Sequence, residues 1–454
     1  MFVGFDYGSA NCAIGVMADE GVRLLPLASN GNYLMSTLYA MDRELIAEAV
    51  YQAMPAHLQA DYAKKRAAQL SRARQVRHEL DLRPQEKAVF VGEEALAAYL
   101  EMPEEGFYVR SPKSFLGASG LRPEQVALFE DIVTLMMQHI KTCADKLVDG
   151  AITHAVIGRP VNFQGLGGEE SNIQAEAILR LAASRAGFDD VAFLFEPLAA
   201  GMDFEASLTD DKTVLVVDVG GGTTDCSVVK MGPVRMQARD RSADCLGHSG
   251  QRIGGNDLDI ALAMQGFMPH LGLESLMVTG KPMPSKPFWN AVAVNDISAQ
   301  REFSALSSRK LIEEMVKDAQ APEVIKRLLK VQQHQLSYQL VRSAEATKIA
   351  LSDTHEQAVQ LDYIAANLVA NVDRPLFAAA IDSSLNKIDA LMRQAVEVSK
   401  VTPDLVYVTG GTARSPAIYD KIKSVYPGIP VVVGDHFGSV TAGLARWAQR
   451  IFAH

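Results

Sequence analysis

Residues Thr213–Val229 read TVLVVDVGGGTTDCSVV, and the fold follows from how this stretch is read. Val214, Leu215, Val216 and Val217 form a β-branched-rich apolar run of strand length. The run ends at Asp218, and Gly220, Gly221 and Gly222 turn the chain before a second apolar run, Cys226 to Val229. Glycines let the backbone approach a ligand with no Cβ in the way. Successive N–H groups in such a turn make a concavity suited to phosphate oxygens. A carboxylate at the strand end repels phosphate but can hold a hydrated Mg²⁺ that contacts it. The stretch reads as a phosphate-and-metal hairpin, although for any one such loop taken singly a plain glycine turn with no ligand is the commoner case.

The first strand adds a second copy. Phe2 to Phe5 leads into Asp6, Tyr7, Gly8, Ser9, Ala10, Asn11 and Cys12. Beside Asp218, Val219, Gly220, then Thr223, Thr224, Asp225 and Cys226, it repeats Asp-x-Gly, a hydroxyl, a spacer, Asn or Asp, and Cys. The second copy carries the extra pair Gly221 and Gly222. Two related hairpins far apart in sequence predict two similar lobes whose loops face each other across a cleft.

The chain of 454 residues is long enough for two domains with large cores. Its net charge of −10, with basic residues spread along the chain, argues against a nucleic-acid binder that relies on phosphate contacts. Cys12, Cys143, Cys226 and Cys245 form no CxxC pair and no zinc-like spacing. Cys12 and Cys226 read as small apolar residues in buried strands, so reduced thiols and a cytoplasmic protein are expected. No signal-peptide pattern opens the chain, and no run approaches the ~20 apolar residues of a membrane helix. Neither export nor anchoring is expected.

Taken in order, Asp42–Arg83 favours helix by composition, with Pro55 dividing it into at least two pieces. Its Lys64, Lys65, Arg66, Arg72, Arg74 and Arg77 read as a solvated basic face, with docking to an acidic partner as the functional reading. Lys113 is the single lysine of the loop YVRSPKSFLG, and on spacing alone it reads as a surface residue. The apolar run Val191–Phe195 closes on Glu196-Pro197, with Pro197 suited to a helix first turn. Glu196 thus stands at a strand's carboxyl end, where α/β sheets bind ligands, although a helix N-terminus accounts for an acid there as well. Gly254-Gly255 is a turn into a helix or a further backbone approach to phosphate. Residues 267–299, with four prolines, read as an irregular excursion, and helix signals dominate Arg301–Leu351 and Pro375–Lys400. Leu405–Thr409 followed by Gly410, Gly411 and a helix is a nucleotide-type arrangement. Val431–Val433 is the last expected strand and Gly438–Phe452 the closing helix.

The segments FDYGSAN, KSFLG, VIGRPVNF, LFEPLAAG, VVDVGGGTTD, RIGGNDLD, SAEATKIALS and VTGGTARSP occur in this order. In this series the chain resembles, over nearly its full length, the ATPase domain of DnaK-type chaperones, the heat-shock protein 70 family. Among these it looks most like the free-standing YegD-type members. The resemblance implies an α/β, two-lobed actin-like ATPase fold with duplicated ribonuclease H-like lobes and an interlobe nucleotide cleft. It implies lobe I over 1–205, including the helical insertion 42–83, and lobe II over 206–430, with a helical outer part at about 258–372. A closing strand and helix would fill 431–454.

The resemblance also assigns roles. Asp6 and Asp218 would hold Mg²⁺ through water. Gly8, Ser9, Ala10, Asn11, Gly220, Gly221, Gly222 and Thr223 would cradle the phosphates, with Gly254 and Gly255 beside them. Lys113 and Glu196 would position the attacking water, with Asp225 as its proton acceptor and Asp218 and Thr223 part of the catalytic set. Glu345, Lys348 and Ser352 would border the adenosine, and Arg414 would stack on adenine beside Gly410 and Gly411. ATP or ADP with Mg²⁺ is the expected cofactor, with K⁺ as a further candidate.

The chain departs from the family in four ways. Ala10 replaces the usual threonine, and Ile349 stands where an arginine would cover adenine. The insertion 42–83 and the proline-rich excursion have no obvious counterpart. The sequence stops at His454 with no interdomain linker and no peptide-binding domain. The expectation is a slow ATPase acting as a chaperone-like conformational switch, alone or with protein clients or co-chaperone-like partners, with a monomer favoured and the oligomeric state left open. A small-molecule kinase and a filament-forming member of the same superfamily are the alternatives.

Overall fold

In a computed structural model of the protein, the residues described are 1–29, 31–102, 105–163, 168–238, 240–412, 415–434 and 438–453. The apolar run at 214–217 forms the core of the strand Lys212–Val219, which pairs antiparallel with Thr224–Met231 and sets Asp218 directly opposite Asp225. Cys245–Gln251 continues the sheet on the antiparallel side, while Leu405–Thr409 and then Val431–Val433 extend it in parallel.

The first hairpin builds the same sheet again. Phe2–Tyr7 pairs antiparallel with Asn11–Ala18, which pairs with Gly21–Leu24, and on the other side lie His154–Arg159 and Asp190–Phe195 in parallel. Both sheets therefore run antiparallel, antiparallel, parallel, parallel from one edge to the other. The two hairpins differ in register. Asp6 faces Ala13 and Tyr7 faces Cys12, whereas in the second copy Val217 faces Cys226. The extra glycine pair shifts the return strand, and this brings the acid Asp225 level with Asp218.

The long crossovers that parallel pairing requires carry the outer parts of each lobe. In the first they hold a three-stranded sheet of Thr37–Ala40, Val89–Val91 and Phe107–Arg110. In the second they hold the hairpin Glu356–Gln360/Val369–Asp373 and four consecutive helices over 297–353. One apolar cluster lies in each lobe. A third unites Val156 and Leu194 of the first sheet with Val214, Val216 and Tyr407 of the second. Leu444 and Trp447 of the helix Ser439–Phe452 complete it. That helix follows a strand of the second sheet yet packs on the first, while Glu196–Glu205 follows the first sheet and reaches the second. They cross so closely that a Cβ on Gly443 would lie 2.0 Å from the Ala199 carbonyl oxygen.

Two expectations need correction. The insertion is helical over Leu45–Ala53, Ala56–Lys65 and Ala67–Glu79, broken at Pro55 as expected; Lys64, Lys65, Arg72 and Arg74 are exposed as expected, but Arg66 and Arg77 are drawn out of the solvated face. Arg66 is 8% exposed, with Nη2 2.6 Å from Glu130 and Nε 2.9 Å from Asp131, and Arg185 reaches Asp131 at 3.4 Å. Arg77 pairs with Glu48 and Arg72 with Glu44. Arg66 clamps the insertion to the helix Pro123–Asp145 of the lobe's body, while Arg72 and Arg77 tie the insertion's own helices together. The proline-rich excursion is packed, burying Phe288 and Val292 from the helix Lys286–Val292. The strand Cys245–Gln251 has no counterpart among the expected elements.

Candidate active site

A cleft of about 740 Å³ lies between the lobes. The two glycine turns form opposite walls, with Gly8, Ser9, Ala10 and Asn11 on one side and Gly220, Gly221, Gly222 and Thr223 on the other. The first turn is held from behind, where the Ser36 hydroxyl donates to the Gly8 carbonyl at 2.6 Å.

The second turn is fixed by a helix start. The Gly255 and Asn256 amides donate to the Gly220 and Gly221 carbonyls at 2.9 and 2.7 Å. In trans peptides the following N–H points opposite to its carbonyl, so the Gly221 and Gly222 amides are turned away from that helix, towards the cleft. Gly254 has to be glycine for this contact, since a Cβ there would come within 2.8 Å of Gly220, Gly221 and Gly222 backbone atoms. Gly254 acts from behind the turn, whereas Gly255 lines the cleft itself. Gly410, at φ +92°, lets the chain pass Asp218, where a Cβ would meet the Val219 carbonyl oxygen at 2.4 Å.

At the floor, Asp6, Asp218, Asp225 and Glu196 converge around one cation. Lys113, 5% exposed, pairs with Glu196, so it is not the surface lysine that its spacing suggests. Burial works against its charge, but Glu196 and then Asp6 overcome this and hold its pKa above the ordinary lysine value. Burial pushes the Asp6 carboxyl up to about 7, with Glu196 and Asp218 adding to the shift and Lys113 opposing it. Asp218 is likewise raised to about 7 by burial, then by Asp225 and Glu196. Asp225 is lifted to about 7 by burial and Glu196, although its side chain keeps 31% exposure.

Carboxylates crowded in this way suit a divalent cation, which would relieve the repulsion that raises them. Among the described residues, no three side chains of His, Cys, Asp or Glu converge to chelate a metal directly.

At the far end, Glu345, Lys348, Ile349, Ser352, Gly410, Gly411 and Thr412 line the cleft. Lys348 pairs with Asp259 at 2.8 Å. Burial raises Asp259 to about 6 despite that partner. Asp259 and Asp353 also line the cleft and were not singled out from sequence, although RIGGNDLD contains the first. Ile349 is 60% exposed and offers an aliphatic surface. Arg414 lies outside the described residues.

A family model described as Hsp70 protein matches residues 121–268, the span from the helix Pro123–Asp145 through the second hairpin to the helix Gly255–Leu262. The match supports the Hsp70 family and, in general terms, an ATPase of chaperone type. With the duplicated sheets it identifies the fold as the two-lobed, actin-like ATPase fold.

Proposed function

We propose that this protein binds ATP with Mg²⁺ in the interlobe cleft and hydrolyses it slowly, lobe closure being its output. The observation that carries the reading is the placement of two glycine turns face to face across one floor of four acids and one buried lysine. In this reading lobe I is 1–205 and lobe II 206–430, while the 431–454 segment ties the second sheet to the first through its helix.

The phosphates lie between the turns, against the amides of Gly221 and Gly222 and the hydroxyls of Ser9 and Thr223. Mg²⁺ held through water by Asp6 and Asp218 neutralises phosphate charge when bound, and K⁺ is a candidate second cation. Lys113, oriented by Glu196, draws a water oxygen and the γ-phosphate together. The water attacks phosphorus, the bond to the β-phosphate oxygen breaks, ADP leaves, and Asp225 takes the water's proton. Such chemistry is mostly positioning and charge neutralisation. Glu345, Lys348, Ser352, Gly410 and Gly411 border the nucleoside, and Ile349 packs on the base. The protein functions as a YegD-like nucleotide switch whose partners are other proteins. Among the described residues no helix is long and apolar enough to cross a membrane.

Calorimetry with ATP and ADP, with and without Mg²⁺, tests the binding step. Mg²⁺-dependent binding of both nucleotides is expected, and absence of binding overturns the reading. Phosphate released in equal amount to ADP without added sugar separates it from a small-molecule kinase.

A further inference from the structure

Beside the cleft floor lies a row of three polar side chains, of which the reaction above uses only one. Asp225 lines the cleft, and Ser227, two residues along the same strand and on the same face, is fully buried. In the adjoining strand, His248 pairs with Ser227 and Gly250 with Asp225. His248 Nδ1 stands 3.2 Å from Ser227 Oγ, and its Nε2 stands 4.0 Å from Asp225 Oδ1. A Cβ on Gly250 would lie 2.4 Å from Asp225 Oδ1 and 3.4 Å from His248 Nε2. The missing side chain at Gly250 is what lets carboxylate and imidazole face each other.

The chemistry of the row assigns its proton. If Ser227 accepted from Nδ1–H, the bare Nε2 lone pair would point at a carboxylate oxygen and be repelled. With Ser227 donating to Nδ1, the ring carries its proton on Nε2, towards Asp225. Burial lowers the His248 pKa to about 4, which keeps the ring neutral near pH 7. The order Ser–His–Asp does not make Ser227 a nucleophile. Its exposure is 0%, and the carboxylate end of the row is the one that meets the cleft.

We propose that His248, oriented by Ser227, is a positioning residue that fixes the Asp225 carboxylate through Oδ1 and leaves Oδ2 to receive the proton of the attacking water. This inference rests on the ATP-hydrolysis reading of the cleft. The gap must close by about 1 Å to become a hydrogen bond. Catalytic hydrogen bonds are often long in ligand-free enzymes and tighten in the complex.

The test compares single-turnover ATP hydrolysis with ATP affinity, measured by calorimetry, in His248→Leu, His248→Gln, Gly250→Ala and the wild type. Loss of the donor should slow hydrolysis by about 10- to 100-fold with affinity unchanged, since a misplacement near 1 Å can cost that much. Gly250→Ala should do the same by displacing the carboxylate, and His248→Gln, which keeps an N–H, should recover most of the rate. Imidazole ¹⁵N spectra give a second measurement, with a neutral, Nε2-protonated ring expected whose resonance shifts when ADP and Mg²⁺ are added. A wild-type rate in His248→Leu, or a ring protonated on Nδ1, overturns the positioning role. A wild type that hydrolyses no ATP overturns the reading of the cleft instead, and the ring tautomer still shows whether the row itself is built as stated.

Discussion

Lys113 is buried among more negative charge than it offsets, and the floor of the cleft takes its properties from that imbalance. With Asp6 and Asp218 near 7 in the folded chain against 3.8 for an ordinary aspartate, the folded state keeps protons that the unfolded state has released between about pH 4 and 7. Stability of the nucleotide-free protein should therefore fall as pH rises through that window and level off above it. Thermal melts from pH 5 to 8 should show this slope, and Asp218→Asn should flatten it. A slope unchanged in the variant would contradict the crowding. Asp225, raised to about 7 as well, adds to the same slope. Reading Lys113 as a cleft residue required the family resemblance. A lone lysine in a loop carries no periodic signal, and its burial depends on Glu196, which is 83 residues away.

At the level of elements, the second glycine turn is only as good as the helix start behind it. Gly254→Ala would drive a Cβ into the backbone of Gly220, Gly221 and Gly222. Overpacking of this kind costs about 1–3 kcal/mol, and here the turn is what gives way. Nucleotide affinity by calorimetry should drop by at least about tenfold, with the melting temperature of the nucleotide-free protein changed little. Equal affinity would mean that the turn is not part of the binding surface. The insertion is a separate case. Arg66→Ala leaves the buried Asp131 and the half-buried Glu130 with Arg185 as their remaining cation, so the loss should fall below the ~3–5 kcal/mol of a buried charge left with no partner. Chemical denaturation should show this loss.

Both hairpins were legible in sequence because their apolar runs are continuous and their glycines adjacent. The strand Cys245–Gln251 was not, since Gly247, Ser249 and Gly250 break the apolar alternation and its pairing comes from the neighbouring Thr224–Met231. The Arg66 clamp was hidden for a related reason. Composition reveals a basic helix, but not the acids on the helix Pro123–Asp145 that meet it.

Across the whole molecule, two contacts between the lobes among the described residues bear on closure. At the base the crossing of Glu196–Glu205 with Ser439–Phe452 is tight at Gly443 and Ala199. At the outer edge Tyr99 stacks on Tyr108 of lobe I at 4.3 Å, and Tyr338 of lobe II meets Tyr99 edge-on at 6.3 Å. An aromatic pair contributes about 0.5–1.5 kcal/mol, so Tyr338→Ala should speed nucleotide release by about 2- to 10-fold. Stopped-flow release of a fluorescent ADP analogue would measure it, and an unchanged rate would mean that release does not require these outer parts to separate.

The most direct measurement of the central claim is single-turnover phosphate release from preformed ATP–Mg²⁺ complex, wild type against Lys113→Ala. The account predicts slow release from the wild type and a rate about 100-fold or more lower in the variant, the usual effect of removing one charge-stabilising group, with ATP still bound. Equal rates in the two proteins, or no release from either, would contradict it.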